Sequence, residues 1–357
     1  KTEKATQEAE TAKAEAEVVQ EKAAEAEAAA EEAAQEAEAK QEEAEAALEE
    51  AQETGDQEAI EEAEQKIAEA EEAKVEAEQI AQEAEAVKQE AQEKIDGIIF
   101  CTQSQDYIIP PNACILHKRF GWPDSVFALD INMACSGYIY GLAIIQGLVS
   151  TGVVKNALLV NADTYSKYIH KKDRSASVLF GDGAAVSWIS ASDKSSGLVD
   201  IQCETSGINY ERFIIPAGGC RMPKSDKTSI PESDNSGNVR TKENINMDGI
   251  EILRFVNSRI PKQIHMILKR NMMTIDDIDL FVFHQASKTI LDSLRRQLKI
   301  KSEKFYQGFS DIGNTVSASI PIALKDALDC GKIVRGDKVL ISGFGAGLSW
   351  GTAIINI

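Results

Sequence analysis

Short apolar runs alternate with longer segments of helical apolar spacing along most of this chain, from residue 98 to the C-terminus. Strands that are apolar on both faces are typical of parallel or mixed sheets, because helices cover both faces of such sheets. We therefore predict an α/β fold with buried sheets for this part of the chain. The predicted strands cover residues 98–101, 126–131, 157–161, 184–189, 280–283, 339–341 and 353–355.

The first 95 residues have a different composition and need a separate interpretation. They contain 32 acidic residues and 9 lysines, a net charge of −23, whereas the rest of the chain carries 26 acidic and 29 basic residues, net +3. They lack aromatic residues, cysteine, histidine and proline, and consist mainly of Ala, Glu, Gln and Lys. This composition favours helix. Such acidity also argues against binding to nucleic acid or to an anionic membrane.

A helical hairpin is predicted within this acidic segment. Gly55 and Asp56 are typical of a helix C-terminus followed by the N-cap of the next helix. Apolar residues then recur at spacings near seven, mostly with alanine beside them, and predict a thin apolar seam. Its members are Ile60, Ile67, Val75, Ile80, Val87 and Ile95. One interpretation of the segment is a coiled-coil arm that binds a partner. The alternative is a solvated helical hairpin, or an artificial segment, that binds no partner.

Cys135 lies at the predicted start of an apolar helix, in the stretch Asn-Met-Ala-Cys-Ser-Gly-Tyr at residues 132–138. A free thiol has a pKa of about 8.5, and the unpaired N–H groups of a helix N-terminus lower that value. The placement therefore predicts a thiolate nucleophile in a buried, rigid position. The alternative is a small buried apolar residue, the commoner role of a cysteine among apolar neighbours.

Three further segments supply groups that a thiolate enzyme requires. His284 follows the predicted strand 280–283, Asn314 lies in a Gly-Asn-Thr turn, and a glycine-rich bend covers residues 343–347. Glycine lets backbone N–H groups approach a reacting atom closely. Each segment alone has a structural explanation: a hydrogen-bonded core histidine, a turn asparagine and an ordinary bend. Together with Cys135 they form a candidate set of one nucleophile, two polar side chains and a backbone donor.

This set resembles the thiolase superfamily and, within it, the β-ketoacyl-acyl-carrier-protein synthase III family. Sequence motifs in the family's order carry the resemblance over residues 96–357. They are Phe-Cys-Thr-Gln-Ser at 100–104, Ala-Cys-Ser-Gly at 134–137, Asp-Arg at 173–174, Phe-Gly-Asp-Gly-Ala at 180–184, His-Gln-Ala-Ser at 284–287, Gly-Asn-Thr at 313–315 and Gly-Phe-Gly-Ala-Gly at 343–347.

The resemblance implies a thiolase-like duplicated α/β fold with a five-layer αβαβα core, preceded here by a long acidic helical segment. Three regions follow: residues 1–95 as the acidic helical segment, 96–192 as the first half with Cys135, and 193–357 as the second half with His284 and Asn314. The junction between the halves is expected near residues 192–197, where the sequence is polar.

The resemblance also implies the chemistry. Cys135 would accept an acyl group from acyl-CoA as a thioester. His284 and Asn314 would bind the thioester carbonyl of a malonyl unit on acyl carrier protein while it loses carbon dioxide. The backbone N–H groups of Cys135 and Ala346 would form the oxyanion hole for attack on the acyl-cysteine. No metal ion or bound cofactor is expected, and the implied process is fatty acid biosynthesis.

Substrate and partner contacts follow from the same resemblance. Arg174 matches the arginine that stacks on the CoA adenine, and Ser287 stands where the family usually has an asparagine against the pantetheine arm. Arg295 and Arg296 would contact the acidic acyl carrier protein, with Arg296 the stronger candidate. For each of these arginines an ordinary solvent-exposed role is the alternative. Ile109 matches a loop at a two-fold interface, which implies a homodimer whose partner subunit lines the acyl pocket.

The chain also departs from the family pattern. Family members begin with a strand and helices that complete the first sheet and carry a tryptophan and an arginine beside the CoA adenine, and residues 1–95 contain neither residue type. We therefore expect an incomplete CoA groove. Helix 79–94 is placed to substitute for the family helix before the strand at 97–101. The polar segment 217–247 is interpreted as either a lid over the substrate entrance or a surface loop.

The six cysteines include no Cys-x-x-Cys pair and no secretory segment opens the sequence, so reduced thiols and a cytoplasmic location are expected. The apolar helix after Cys135 is interpreted as a buried core helix and not as a membrane span, because Asn132 precedes it and Gln146 lies within it.

Three classes of function remain open on the sequence. Decarboxylative condensation is the leading hypothesis. The second class keeps an acyl-Cys135 intermediate but transfers the acyl group to another nucleophile without decarboxylation. The third is a non-enzymatic helical interaction protein with a thiolase-like scaffold. A papain-like cysteine hydrolase also uses Cys, His and Asn in this order, but its Cys-Gly-Ser-Cys-Trp context is missing here.

Overall fold

A computed structural model of the chain describes residues 32–49, 52, 54, 57–191 and 197–357. The chain divides into two compact units, Lys1–Ile95 and Asp96–Ile357. The predicted turn at Gly55 and Asp56 and most of the predicted junction near residues 192–197 lie outside the described residues.

The first unit contains two helices in its described part, α1 at residues 32–49 and α2 at Gln57–Glu93, so helix is confirmed there. Alanine is buried at seven-residue intervals in both helices. The positions are Ala37 and Ala44 in α1 and Ala63, Ala70 and Ala77 in α2. Val75, a member of the predicted seam, is 55 % exposed. The seam prediction is therefore wrong at Val75, whereas Ile95 is buried and Ile60, Ile67 and Ile80 are half-buried, and alanine occupies the fully buried positions of the two helices.

Four strands form the first sheet of the second unit, in the order β2-β1-β3-β4. Their bounds are β1 Gly97–Cys101, β2 Phe127–Ile131, β3 Asn156–Asp163 and β4 Gly183–Ser190. β1 pairs in parallel with β2 and β3, whereas β4 runs antiparallel to β3. β1 is buried throughout, since its sequence Gly-Ile-Ile-Phe-Cys is apolar on both faces.

The second sheet contains later strands, in the order β10-β11-β12-β5. The remaining strands are β5 Gly197–Thr205, β6 Phe213–Ile214, β7 Glu232–Ser233, β8 Val239–Arg240, β9 Asn246–Met247, β10 Leu280–Phe283, β11 Lys338–Gly345 and β12 Ser349–Asn356. β10 and β11 are parallel, and β12 is antiparallel to both β11 and β5. Each large sheet therefore continues a parallel pair into an antiparallel strand.

Helices cover both sheets. Their bounds are α3 Asn112–Phe120, α4 Gly137–Ser150, α5 Arg174–Ser177, α6 Gly249–Arg270, α7 Lys288–Gln297, α8 Phe309–Ile312 and α9 Ser319–Asp329. α4 contacts β1 and β3 of one sheet and β5, β11 and β12 of the other, and α9 likewise contacts both sheets. α3 packs on β1 and β2, and α6, beside α7, packs on the second sheet. The predicted α/β fold with mixed, helix-covered sheets is confirmed.

α4 is a core helix, in agreement with its apolar sequence. Ile139, Leu142 and Ile145 are buried in one apolar cluster with strand residues of both sheets. Glycines allow a close approach: a Cβ on Gly141 would lie 2.4 Å from Cδ1 of Leu159 in β3, and one on Gly351 in β12 would lie 2.7 Å from Cγ2 of Ile139. No helix in the described part of the chain has the length and hydropathy that a bilayer span requires.

The polar segment 217–247 is fastened to the second unit by a partly buried ion pair. Nε of Arg240 in β8 lies 2.5 Å from Oδ2 of Asp173, and its Nη2 donates to Asp234 at 2.9 Å. Asp173 in turn caps α5 by accepting the N–H of Ser175 at 3.0 Å. The segment is thus held beside the start of α5, while its function as a lid stays a prediction.

We expect Gly141→Ala to lower the free energy of unfolding of the second unit by about 1–3 kcal/mol, because the new methyl group would overlap the buried Leu159 side chain. Gly147→Ala, in the same helix with nothing within 4 Å of the added Cβ, should instead raise it by about 0.5–1 kcal/mol through helix propensity. Urea denaturation followed by tryptophan fluorescence measures both, since all three tryptophans lie in this unit. Equal shifts in the two variants would contradict the packing of α4 on β3.

Candidate active site

A cavity of about 160 Å³ brings together the three side chains that the sequence singles out. Cys135, His284 and Asn314 all line it. Most of the other lining residues are apolar, among them Leu179, Phe180, Phe213, Met247, Ile252, Leu253, Ala286, Ile290 and Phe344. The predicted nucleophile and the two predicted polar groups therefore share one largely apolar chamber.

Cys135 lies in a short 3₁₀ turn, Ala134–Ser136, between β2 and α4. Ala134 has a φ of +46°, a left-handed conformation that costs a residue with a side chain about 1–3 kcal/mol. The turn is held from both sides, because Oγ of Ser136 donates to the carbonyl of Met133 at 2.9 Å and hydrogen-bonds Oγ of Ser349 at 2.7 Å. The turn that carries Cys135 is thereby fixed to the start of β12, immediately before the first turn of α4.

The end of β11 packs directly against Cys135. A Cβ on Gly345 would lie 2.8 Å from Cβ and 3.0 Å from Sγ of Cys135, and one on Gly343 would lie 2.8 Å from the Cys135 carbonyl oxygen. Only glycine fits at such distances, so the glycine-rich bend predicted from the sequence serves a close backbone approach. The following residue, Ala346, packs in the same cluster as Ala134 and Cys135.

His284 follows β10 and continues its pairing with β11, since its N–H donates to the carbonyl of Ser342 at 2.8 Å. The imidazole is 1 % exposed, with Nδ1 2.6 Å from Oγ of Ser319. The Phe344 ring meets it edge to face, with centroids 5.5 Å apart. Burial lowers the pKa of His284 to about 3, because a charged imidazolium loses its hydration there. The ring is therefore neutral at physiological pH.

Asn314 is fixed by its backbone and by its own side chain. Its N–H donates to the carbonyl of Leu179 at 2.8 Å, and its carbonyl accepts the N–H of Gly181 at 3.0 Å. Oδ1 accepts the N–H of Val316 at 2.9 Å. Because the acceptor side of the carboxamide is occupied by the backbone, its NH₂ group is the part left for the cavity.

The predicted thiolate state of Cys135 is not supported by the surroundings of the sulfur. Burial raises the pKa of the Cys135 thiol, and the charge of Asp163 acts in the same direction, while a backbone N–H lowers it less. The helix N-terminus is near, but the cost of an ionised sulfur in an apolar chamber outweighs it. The surroundings of Cys135 therefore favour the protonated thiol before substrate binds.

Asp163 and Cys101 form a second buried polar group beside the nucleophile. Asp163 is 2 % exposed and accepts the Gln103 N–H at 2.7 Å and the Ser317 hydroxyl at 2.8 Å. Burial raises its pKa. Burial also raises the pKa of the Cys101 thiol to about 12, and the charge of Asp163 adds to that shift. Sequence inspection missed Asp163, because one aspartate at a strand end carries no distinctive signal.

Of the predicted substrate and partner residues, only Ser287 reaches the cavity. It lines the wall and caps α7, with Oγ accepting the N–H of Ile290 at 3.4 Å. Arg174 is exposed at the start of α5. Arg296 donates to the carbonyl of Asp292 at 3.0 Å, and Arg295 to that of Ile300 at 3.4 Å. Ile109 is 81 % exposed in the loop before α3. In the described chain these four residues lie outside the cavity wall.

Two groups that shape the site were not found from the sequence. Ser319, in the first turn of α9, hydrogen-bonds the imidazole of His284. A serine is common at the start of a helix, so its position in the sequence does not indicate a functional role. Phe213 and Met247 come from β6 and β9 and reach the cavity only through tertiary folding. Phe344 had a detectable signal, since it lies inside the Gly-Phe-Gly-Ala-Gly stretch at 343–347.

Comparison with protein families identifies relatives of the second unit. Residues 129–207 match the model for 3-oxoacyl-[acyl-carrier-protein] synthase III, and residues 268–357 match the model for the C-terminal part of that enzyme. A β-ketoacyl-[acyl-carrier-protein] synthase III of Clostridium perfringens is 35 % identical over 265 residues, covering 74 % of this chain and 78 % of the relative. One from Caldanaerobacter subterraneus is 37 % identical over 263 residues, with 74 % and 76 % covered.

Solved structures give the same result. A 2.1 Å crystal structure of a 3-oxoacyl-(acyl-carrier-protein) synthase III shares 39 % identity, with a TM-score of 0.73 over 74 % of this chain and 79 % of the other. The enzyme of that name from Aquifex aeolicus shares 30 % identity, with a TM-score of 0.63 over 74 % and 78 % of the two chains. From about residue 95 to residue 357, this chain belongs to the 3-oxoacyl-[acyl-carrier-protein] synthase III family of the thiolase superfamily.

Proposed function

We propose that this protein condenses an acyl primer, held as a thioester on Cys135, with a malonyl thioester on acyl carrier protein, with loss of carbon dioxide. The observation that carries the proposal is the shared apolar cavity of Cys135, His284 and Asn314. The cavity combines a nucleophile that can hold the acyl group with two neutral hydrogen-bond donors for an enolate oxygen, and condensation needs all three. The names of the relatives include acyl carrier protein, which supports it as the carrier of the malonyl unit.

The first step is thioester exchange. The Cys135 sulfur attacks the carbonyl carbon of acyl-CoA, the bond from that carbon to the CoA sulfur breaks, and the thiol proton of Cys135 ends on the departing CoA thiol. The negative oxygen of the tetrahedral intermediate accepts hydrogen bonds from the backbone N–H groups of Cys135 and Ala346 in this proposal. The raised pKa of Cys135 fits a reaction in which the proton leaves only while the new S–C bond forms.

The second step is decarboxylation. The bond between the malonyl carboxylate and the methylene carbon breaks, carbon dioxide leaves, and the electron pair remains as an enolate of the carrier thioester. His284 and Asn314 donate to the enolate oxygen, and each such preorganised donor is worth about 3 kcal/mol in a site that excludes water. A neutral imidazole suits this task, because it donates a proton to the hydrogen bond without removing one from carbon.

The third step forms the product. The methylene carbon attacks the acyl-Cys135 carbonyl, a carbon–carbon bond forms, and the tetrahedral intermediate collapses with loss of the Cys135 thiolate. The released product is a β-ketoacyl thioester on the carrier. Because the surroundings raise the pKa of Cys135, the thiolate takes up a proton from water and returns to its resting form.

The remaining predicted roles belong to the same proposal. Ser287 lies on the cavity wall and supports a contact with the pantetheine arm. Arg174, Arg295 and Arg296 are proposed as contacts for the CoA adenine and the carrier protein. The exposure of Ile109, at 81 %, supports a homodimer in which this loop reaches the partner's acyl pocket. A cytoplasmic location and a role in fatty acid biosynthesis are part of the proposal.

The finer fold assignment is proposed as well. α4 and α9 lie between the sheets, and other helices pack on the outer face of each sheet. Both large sheets repeat a parallel pair followed by an antiparallel strand. These two features support a duplicated five-layer αβαβα core with halves at residues 96–192 and 193–357.

Acyl transfer from Cys135 to another nucleophile without decarboxylation is the second candidate function. It needs the cysteine and the oxyanion hole but not a pair of donors for an enolate oxygen. The orientation of Asn314 by Val316 N–H, together with the neutral state of His284, favours condensation over this alternative.

The acyl-enzyme is tested by intact-mass analysis after incubation with a series of acyl-CoAs. The unmodified protein should gain the mass of one acyl group, and Cys135→Ser should not, because the oxygen is a far weaker nucleophile towards a thioester. Cys330→Ser, which alters an exposed cysteine away from the cavity, is the matched control and should acylate normally. A folded protein that forms no adduct with any acyl-CoA would refute both acyl-enzyme functions.

Decarboxylation is tested with malonyl carrier protein that is labelled at the carboxylate. We expect His284→Ala and Asn314→Ala each to slow release of labelled carbon dioxide by about 10²–10³-fold, because each removes one donor to the enolate oxygen. Both should still form the Cys135 adduct. His265→Ala, on the exposed side of α6, is the control. Release at the normal rate from both donor variants would refute their roles, and no release from acylated unmodified protein would favour acyl transfer to another nucleophile.

The resting state of Cys135 is tested by alkylation with iodoacetamide in the absence of substrate. Because its pKa is raised, the rate should climb roughly tenfold per pH unit from about pH 7 to about pH 9, without a plateau. Peptide mass spectrometry must follow Cys135 alone, since Cys114, Cys220 and Cys330 are exposed. A plateau below about pH 8 would instead indicate a thiolate stabilised by the helix N-terminus.

A further inference from the structure

Ser319 is the only side chain in the described chain that hydrogen-bonds the imidazole of His284. It is the first residue of α9 and is completely buried. Its Oγ lies 2.6 Å from Nδ1 of His284 and 3.3 Å from the backbone nitrogen of Gln285. The serine therefore touches two consecutive residues at the end of β10.

The direction of these hydrogen bonds follows from the donors available. The Gln285 N–H can only donate, so the serine oxygen is the acceptor in that bond. The hydroxyl has one proton of its own, and among the described residues Nδ1 of His284 is the acceptor within reach of it. If Nδ1 carried a proton instead, the serine proton would be buried without an acceptor, at a cost of about 1–3 kcal/mol. The serine proton thus points at Nδ1.

The consequence is a fixed tautomer of the histidine. With its lone pair on Nδ1 engaged, the neutral ring carries its proton on Nε2, the nitrogen left for the cavity. The opposite tautomer would present a lone pair to the substrate and could not donate to an enolate oxygen.

We propose that Ser319 is a positioning residue that locks His284 in the Nε2–H tautomer. The effect of Ser319 on catalysis rests on the proposed function. The tautomer of His284 does not depend on that function.

The same turn orients both proposed donors. Asn314 begins it, and the Val316 N–H holds Oδ1 of Asn314 so that the NH₂ group is free to donate. Three residues beyond Val316, Ser319 holds Nδ1 of His284 so that Nε2 donates. Val316 itself has a φ of +55°, a strained conformation that brings its N–H onto Oδ1. A single short segment thereby presets two hydrogen-bond donors that come from different elements.

Nitrogen NMR of the ring tests the proposal directly. Histidine labelled with ¹⁵N is incorporated into the full chain, the His284 signals are identified by their loss in His284→Ala, and the spectrum without substrate reports which ring nitrogen is protonated. The unmodified protein should show Nε2 protonated. Ser319→Ala should move part or all of the proton to Nδ1, and Ser319→Thr, which keeps the hydroxyl, should restore the original pattern.

Ser317→Ala is the matched control. Ser317 lies two residues away and is equally buried, but its hydroxyl donates to Asp163 and not to the imidazole. This variant should leave the His284 tautomer unchanged. Tryptophan fluorescence during urea denaturation shows whether each variant is folded, and a misfolded Ser319→Ala is replaced by Ser319→Cys, whose thiol is a much weaker donor.

Activity provides the second readout. Ser319→Ala should slow labelled carbon dioxide release by about 10- to 100-fold, less than the loss of the donor itself, because part of the imidazole would still carry its proton on Nε2. The Cys135 adduct should form at the normal rate. Protonation of Nδ1 in the unmodified protein, or an unchanged tautomer in folded Ser319→Ala and Ser319→Cys, would overturn the proposal. The expected tautomer shift in a protein that releases no carbon dioxide would support the role of Ser319 and refute only the condensation reaction.

Discussion

The close approach of β11 and β12 to the start of α4 is the constraint on which the site depends. Added Cβ atoms on Gly343 and Gly345 would lie 2.8 Å from the carbonyl oxygen and the Cβ of Cys135. The strands can lie this near only because those positions carry no side chain. Ala346, the next residue, packs in the same cluster as Cys135, so the nucleophile and this residue of the proposed oxyanion hole depend on the same packing. A methyl group there would move the strand away from the thiol and widen the chamber.

Burial then shifts the pKa of the titratable groups in the chamber and of Asp163 beside it. It raises the pKa of Cys135 and of Asp163 and lowers that of His284 to about 3. An apolar cavity that held a thiolate and an imidazolium at rest would require two desolvated charges. A thiol and a neutral imidazole avoid that cost. In the proposed reaction negative charge appears only on substrate oxygens and on the departing sulfur, at the moments when donors are already in place.

The sequence predicted those features that depend on local pattern. The predicted strand 280–283 matches β10, and the predicted strand 98–101 is one residue shorter than β1. The sequence analysis did not predict β5, because the pairing of β5 with β12 depends on residues that are distant in sequence. It also ended the strand of β11 at residue 341, whereas β11 extends to Gly345. The thiolate prediction used only the nearest helix terminus, whereas burial, which raises the pKa of Cys135, is a property of the assembled fold. Ser319 was missed because its partner lies 35 residues earlier in sequence.

The site also explains why the two sheets cannot function separately. Cys135 and Phe180 come from the part of the chain that carries the first sheet, whereas His284 and Phe344 come from the second sheet. The turn at Asn314 joins them, because its backbone exchanges hydrogen bonds with Leu179 and Gly181 on the first-sheet side. Ser319, five residues further on, contacts the end of β10 on the other side. Movement of this turn would therefore disturb the chamber wall, the carboxamide and the imidazole tautomer together. In the proposed reaction this one connection orients both donors, although His284 itself comes from the end of β10.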